Sequence, residues 1–234
     1  MTVDATAARS ADRRASWHSN APTAATRRVV LGVVTLSAVF IGLTSLVWHR
    51  AGATGLDSAI LHGYAPNDHS VLFRIASYVT DVASPIAVVA LGGTTALALA
   101  LRRRQRIRAL ACICAPLLAG ICEATLKVMV GRTRPETGTL SGESGFGFPS
   151  GHTAGFAALV FTVAFTMSRL SHRRRTAIRI ALALSTAIAV TRVIVGAHYP
   201  TDVIGGLILG VVVAQITALG SDLATQLPTR EPHA

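Results

Sequence analysis

This sequence of 234 residues is poor in charge: 14% of its residues are charged, whereas 51% are hydrophobic. Because a soluble domain of this size carries roughly 25% charged residues, the composition excludes an ordinary soluble globular protein. The sequence also lacks the alternating polar and apolar segments that form membrane barrels. We therefore predict an all-α integral membrane protein, since a helix satisfies its backbone hydrogen bonds within lipid.

Cysteine is scarce, and histidine does not cluster. The three cysteines fall in one apolar segment, at a spacing that matches no zinc or redox motif: Cys112, Cys114 and Cys122. Three histidines share one predicted external loop without the spacing of metal ligands: His49, His62 and His69. The sequence thus predicts neither a metal ion nor another cofactor.

Six apolar stretches are long enough to cross a bilayer, which takes about 20 residues of helix. They cover residues 29–48, 83–101, 109–130, 152–168, 180–195 and 203–219. We predict a six-helix bundle that forms one membrane domain, residues 27–222. The flanking residues, 1–26 and 223–234, have no apolar period and are predicted to be disordered tails.

The net charge of +11 is distributed unevenly along the chain. Of the 22 basic residues, sixteen lie before the first span, after the last span and in the segments after spans two and four. Because basic loops stay in the cytoplasm, both termini are predicted to be cytoplasmic and the alternate loops external. We attribute the excess charge to this topology and to anionic lipid headgroups, and predict no nucleic-acid partner.

Three polar clusters lie at the predicted external ends of spans three to six. The first contains Lys127, Arg134 and Pro135; the second is Pro149-Ser150-Gly151-His152; the third contains Thr191, Arg192, His198 and Asp202. Topology alone predicts that all three face the same side of the membrane. A candidate active site is therefore expected at the extracytoplasmic face.

The first requirement of phosphoryl transfer is positive charge around the phosphate oxygens. Lys127, Arg134 and Arg192 can supply it, and Lys127 is the only lysine in the chain. Ser150 and Gly151 precede the fourth span, where a hydroxyl and backbone amides can face an anion. These five residues are the predicted phosphate-binding set.

Phosphoryl transfer also requires a nucleophile and a proton donor. His198 is followed four residues later by Asp202, whose carboxylate can hold one ring nitrogen and leave the other free to attack phosphorus. His152 is then available to protonate the leaving oxygen. We further predict that Glu123, one helical turn before Lys127, pairs with it inside the membrane.

Each cluster alone also fits a structural role. A lone Lys127 or Arg192 fits a cation that snorkels at a helix end, and His198 with Asp202 fits a helix cap. Arg132 is interpreted as a headgroup contact or a solvated loop residue. Glycines in the second and last spans are expected to allow close helix packing: Gly92, Gly93, Gly205, Gly206 and Gly210.

Together, Lys-x6-Arg-Pro, Pro-Ser-Gly-His and Arg-x5-His-x3-Asp resemble, in this order, the signature of the type 2 phosphatidic acid phosphatase family. One departure is Thr191, where that family usually has serine. The resemblance implies the same six-helix layout, with His198 as nucleophile, Asp202 as its orienting group and His152 as acid and base. It also implies a lipid phosphate substrate, such as phosphatidic acid, phosphatidylglycerol phosphate or undecaprenyl pyrophosphate.

Two other functions remain open at this point. The same site can transfer the phosphoryl group to a lipid or sugar hydroxyl, or the chain can bind lipid phosphates without catalysis. Binding alone does not need a nucleophile, an orienting carboxylate and a second histidine, so the sequence favours hydrolysis. The site also resembles that of vanadate-dependent haloperoxidases, but those are soluble. No feature of the sequence points to a particular oligomeric state.

Overall fold

The computed structural model describes residues 24–49, 52–61, 64, 66–102, 105–136, 142–167 and 171–226. Across these ranges the regular structure is helical and contains no strand. The described part of the chain contains eight helices: α1 (Ala24–Trp48), α2 (Gly55–Leu61), α3 (Val71–Asp81), α4 (Pro85–Ala100), α5 (Arg106–Val130), α6 (Gly151–Met167), α7 (Ser171–Ile194) and α8 (Pro200–Gln226).

Among the helices of the described residues, four are long and apolar enough to cross a membrane: α1, α5, α7 and α8. Helices α3 and α4 form a fifth candidate span, bent by 45° at the break between them. The predicted all-α membrane fold is therefore confirmed. Helix α6 is apolar but has only 17 residues, and the count of six spans stays a prediction.

Helix α6 lies at the centre of the bundle, in contact with α4, α5, α7 and α8. At 1.5 Å per residue it is about 26 Å long, somewhat less than the hydrocarbon core. Several of its side chains are fully buried, among them Ala154, Ala157 and Ala158. Because neighbouring helices cover it, the first residues of α6 lie within the bundle.

Glycines of α8 allow this helix to approach α6 closely. A Cβ atom at Gly206 would lie 2.5 Å from the carbonyl oxygen of Ser150, and one at Gly210 would lie 2.5 Å from that of Ala154. At Gly92 of α4, a Cβ atom would lie 2.9 Å from the carbonyl oxygen of Cys112. These positions confirm the packing role expected for them, whereas Gly93 faces open space.

Helix α1 packs mainly against α8 at the edge of the bundle. Its Phe40 ring stacks on Phe148, with ring centroids 6.1 Å apart. Phe148 is fully buried, precedes a cis peptide bond to Pro149, and leaves no room for a Cβ atom at Gly205. This contact anchors the segment that leads into α6.

Most of the predicted tails lies outside the described residues. Helix α1 begins at Ala24 and α8 ends at Gln226, so each helix extends a few residues past the predicted domain boundary. The tails, the domain limits and the cytoplasmic position of the termini remain predictions.

Candidate active site

The predicted site residues meet at one end of the bundle, where α5 ends, α6 begins, α7 ends and α8 begins. A cavity of about 520 Å³ opens there between α4, α5 and α6. Its polar lining consists of Glu123, Lys127, Arg134, Glu143, His152 and His198. Its remaining wall is largely apolar and comes from α4 and α5, including Val88, Val89, Leu117 and Ile121.

His198 lies in the short connection between α7 and α8 and is 1% exposed. Nη1 of Arg134 is 3.2 Å from Nε2 of its ring. Because a guanidinium can only donate, Nε2 must accept this bond, and the ring proton of the neutral imidazole is on Nδ1. The lone pair of Nε2 therefore faces the guanidinium of Arg134, which lines the cavity.

The other ring nitrogen, Nδ1, faces the carboxylate of Asp202 at the start of α8. The distance from Nδ1 to Oδ2 is 3.5 Å, which is longer than an ordinary N–H···O hydrogen bond. The same Oδ2 accepts a hydrogen bond from the backbone N–H of Tyr199, at 2.9 Å. Asp202 is thus placed to orient the ring of His198.

Burial lowers the pKa of His198 to about 4, although the nearby carboxylate of Asp202 acts in the opposite direction. The nearby guanidinium groups of Arg134 and Arg192 lower it further. The imidazole is consequently neutral at pH 7, the form in which a ring nitrogen can act as a nucleophile.

Two of the predicted phosphate-binding cations are joined by a carboxylate that sequence analysis did not single out. Glu143 places Oε1 2.6 Å from Nη2 of Arg192 and Oε2 3.3 Å from Nη2 of Arg134. Burial alone would raise the pKa of Glu143, but the charges of Arg192 and Arg134 bring it below its usual value. A carboxylate therefore lies where the two guanidinium groups converge.

Lys127 pairs with Glu123, whose Oε1 is 2.5 Å from Nζ, so the predicted pairing is confirmed. A Cβ atom at Gly151 would lie 2.7 Å from the same Glu123 oxygen. Only a glycine at this position lets the start of α6 approach the Glu123–Lys127 pair without displacing it.

Ser150 is fully buried, and its environment differs in one respect from the expectation. Its backbone N–H donates to the carbonyl oxygen of Asp202 at 3.0 Å, so this amide joins α6 to α8 and does not face an anion. The predicted phosphate contact of Ser150 then depends on its hydroxyl, which accepts a 3.3 Å hydrogen bond from Thr153. The Thr191 hydroxyl donates to Ile188 within α7.

Behind His198, the guanidinium of Arg132 is completely buried, so the interpretation as a solvated loop residue is wrong. It forms ion pairs with Asp202 and, at 2.5 Å, with Asp57 of α2. It also donates to the Thr201 hydroxyl at 2.7 Å and lies over the Tyr199 ring.

Sequence analysis also missed Asp57, which lies 75 residues away from Arg132. Its carboxylate accepts hydrogen bonds from the backbone N–H groups of Thr54 and Thr201, both at 2.9 Å. Burial works against ionisation, but these bonds and Arg132 hold the pKa of Asp57 below its usual value. The one available signal was an acidic residue in the first turn of a short apolar helix.

Among the described residues, no group of three or more His, Cys, Asp or Glu side chains has the arrangement of a metal site. Positive charge near His198 comes from Arg134 and Arg192, with Lys127 in the same cavity. The absence of a metal requirement stays a prediction.

Comparisons with known proteins agree with the resemblance inferred from the motifs. The family model of the PAP2 superfamily matches residues 108–224, half of the chain. Over 89 residues the chain is 35% identical to phosphatidylglycerophosphatase B from Bacillus subtilis, a match covering 36% of this chain and 44% of that protein. Over 111 residues it is 38% identical to a lipid A 1-phosphatase from Rhizobium johnstonii, covering 43% of each.

The chain therefore matches less than half the length of these curated relatives. Its fold resembles the crystal structure of a transmembrane PAP2 type phosphatidylglycerolphosphate phosphatase from Bacillus subtilis, with a TM-score of 0.66. That comparison covers 85% of this chain and 98% of the other at 22% identity, so it bears on the fold alone.

Proposed function

Because the chain belongs to the PAP2 superfamily, we propose that it is a membrane phosphatase that hydrolyses a lipid-linked phosphate or pyrophosphate through a phosphohistidine intermediate. The observation that carries this proposal is the shape of the cavity. Its lining combines cationic side chains and His198 with an apolar wall from α4 and α5. An amphipathic substrate fits both parts, with its phosphate among the cations and its tail towards the lipid.

The phosphate would bind where Arg134 and Arg192 converge, the place that the carboxylate of Glu143 now fills. Two guanidinium groups can donate about four hydrogen bonds to the phosphate oxygens and stabilise the charge that develops during transfer. Lys127 supplies a further positive charge at the cavity wall. Substrate binding then requires that Glu143 give up these contacts.

In the first step, Nε2 of His198 attacks phosphorus and the bond from phosphorus to the leaving oxygen breaks. His152 donates a proton to that oxygen, while Asp202 stabilises the positive charge on the phosphorylated ring. In the second step, His152 accepts a proton from a water that attacks phosphorus. The P–N bond breaks, inorganic phosphate is released, and both histidines return to their initial states.

The relatives suggest which substrates to test first. Proteins that this chain partly matches are named for dephosphorylation of phosphatidylglycerol phosphate and of lipid A at its 1-position. Both substrates carry a phosphate at a membrane surface. We therefore propose a lipid phosphate monoester or diphosphate as substrate, including phosphatidic acid and undecaprenyl pyrophosphate, with the site at the extracytoplasmic face.

The proposal is tested by measuring phosphate release from purified protein in detergent with EDTA present. Phosphatidylglycerol phosphate, phosphatidic acid, lipid A and undecaprenyl pyrophosphate are offered in parallel, with His198→Ala as the control. Release that persists in EDTA and disappears in the variant supports metal-free hydrolysis through His198. Transfer of labelled phosphate to a lipid or sugar hydroxyl would favour phosphotransferase activity, and no reaction from folded protein would favour binding alone.

A further inference from the structure

The ion pairs behind His198 have no role in the mechanism described so far. They join the first external segment, the loop before α6 and the start of α8 at a single buried side chain, Arg132. We propose that Arg132, anchored by Asp57, is a positioning residue for the nucleophile: it holds one oxygen of Asp202 so that the other faces His198. This inference rests on the proposed role of His198.

The two oxygens of Asp202 have separate partners. Oδ1 is paired with Nη1 of Arg132, whereas Oδ2 accepts from the Tyr199 amide and faces Nδ1 of His198. A carboxylate that is held through both oxygens cannot rotate about its terminal bond. The position of Oδ2, and with it the orientation of the imidazole, therefore depends on the contact made by Oδ1.

Arg132 is itself held in place from several directions. Nη2 contacts Asp57 at 2.5 Å and the carbonyl oxygen of Gly52 at 3.1 Å, and its charge lies 4.5 Å from the centre of the Tyr199 ring. Asp57 is in turn bonded to Thr54 and Thr201. None of these side chains lines the cavity, so the network does not bind the substrate phosphate directly.

The network contains one positive and two negative side chains. One guanidinium lies between two buried carboxylates, so Asp202 retains negative charge that it can share with His198. A neutral residue at 132 would leave Asp202 free to turn and would place two unpaired carboxylates close together. Replacing Asp57 by asparagine in the same protein removes that repulsion while the loss of positioning remains.

The test compares Arg132→Gln and the charge-balanced double variant Arg132→Gln/Asp57→Asn with the wild type. Tyr64→Phe is the matched control, because the Tyr64 hydroxyl bonds the Ile194 carbonyl at 2.6 Å and also ties the first external segment to the bundle, away from Asp202. We expect kcat for phosphate release to fall at least about tenfold in both Arg132 variants, with KM within about twofold of wild type. Tyr64→Phe should match the wild type.

A second readout is the pH dependence of His198, measured from the ring nitrogens by nitrogen-15 NMR. The charged groups facing this ring are Asp202 on α8, Arg134 before α6, Arg192 on α7 and, in the same cavity, His152 of α6. In the charge-balanced double variant the loss of the Arg132 charge is offset by the loss of the Asp57 charge. If Asp202 then turns away from Nδ1, His198 loses the carboxylate that raises its pKa, so the pKa should fall and the acid limb of kcat/KM should move to lower pH. The wild-type limb is the reference.

The inference is overturned if either folded Arg132 variant keeps the kcat of the wild type, or if the His198 titration of the double variant is unchanged. A fall in the yield of folded protein with unchanged kcat per folded molecule would also overturn it, since that is the result of a purely structural role. If Arg132→Gln does not fold, the double variant decides. Absence of hydrolysis in the wild type would refute the proposed function, whereas the NMR titration would still test the positioning of His198.

Discussion

Arg132 and Arg134 are two residues apart in the same loop, yet Arg134 contacts the ring of His198 whereas Arg132 contacts Asp202, the carboxylate that faces the other ring nitrogen. The guanidinium of Arg134 lines the cavity, where it contacts the ring of His198 and Glu143, a residue that is partly exposed. That of Arg132 has no exposed surface and is enclosed by Asp57 and Asp202. The comparison indicates that ion pairs on the cavity side can exchange with substrate, whereas those behind His198 are fixed parts of the fold.

Asp202 pairs with Arg132 and also faces His198, so its substitution should have the largest effect on activity. Asp202→Asn removes the charge that stabilises the phosphorylated ring and weakens the pairing with Arg132. We expect kcat/KM for phosphate release to fall by about 10² to 10⁴. Asp222→Asn, an exposed position on the same helix, is the matched control and should behave as wild type. Equal activity of the two variants would contradict the role of Asp202.

On the cavity side, Arg192→Lys tests whether a planar guanidinium is needed. Lysine keeps the charge but loses the paired donors that now contact Glu143 and Thr80. The expected loss in kcat/KM is on the order of 10², comparable to removal of one donor to a transition-state oxygen. Arg179→Lys, on the exposed face of α7, controls for the substitution itself. A variant with wild-type kcat/KM would show that charge alone suffices.

Substitutions in the buried network behind His198 should reduce the free energy of unfolding more than substitutions on the cavity side. Asp57→Ala leaves buried donors of Thr54, Thr201 and Arg132 without their acceptor, and we expect a loss of about 3 kcal/mol or more. Glu143→Ala breaks contacts at a side chain that is 27% exposed and should cost less than about 1 kcal/mol. Unfolding midpoints in detergent give this order, and a reversed order would undo the distinction.

The pKa of His198, lowered to about 4, makes a prediction about pH. Activity that needs a neutral imidazole should persist below pH 6.5 and be lost only as the pH falls towards 4. Because the unfolded chain binds this proton more readily, the contribution of His198 to stability is complete above about pH 6.5 and is lost between there and pH 4. A kcat/KM profile whose acid limb lies near 6.5 would contradict the effect of burial.

The smallest effect is expected for Glu143→Gln. Substitution removes the carboxylate that competes with phosphate for Arg134 and Arg192, so KM should decrease by up to about fivefold, the range of a partly exposed ion pair. Inhibition by inorganic phosphate should strengthen to a similar extent. Steady-state kinetics or isothermal titration calorimetry can measure this change. A higher KM would instead assign Glu143 a direct role in holding substrate.

Much of the fold could be predicted from local properties. Apolar length predicts the membrane helices, and the confirmed Glu123–Lys127 pair follows from a spacing of four residues on one helix. The failures involve long separations or chain breaks. The predicted span 83–101 is the second part of a bent helix pair, because Ser84 and Pro85 begin a new helix after Asp81.

The sequence by itself determined the helical membrane fold, the family and the set of polar residues at one end of the bundle, because these depend on composition, helix length and motif spacing. Only the tertiary structure decided which of those residues face the cavity. The pairing of Arg132 with Asp57, and of Glu143 with Arg134 and Arg192, joins segments that share no local period. Such contacts depend on how the ends of helices converge, and two arginines separated by one residue therefore acquire different environments.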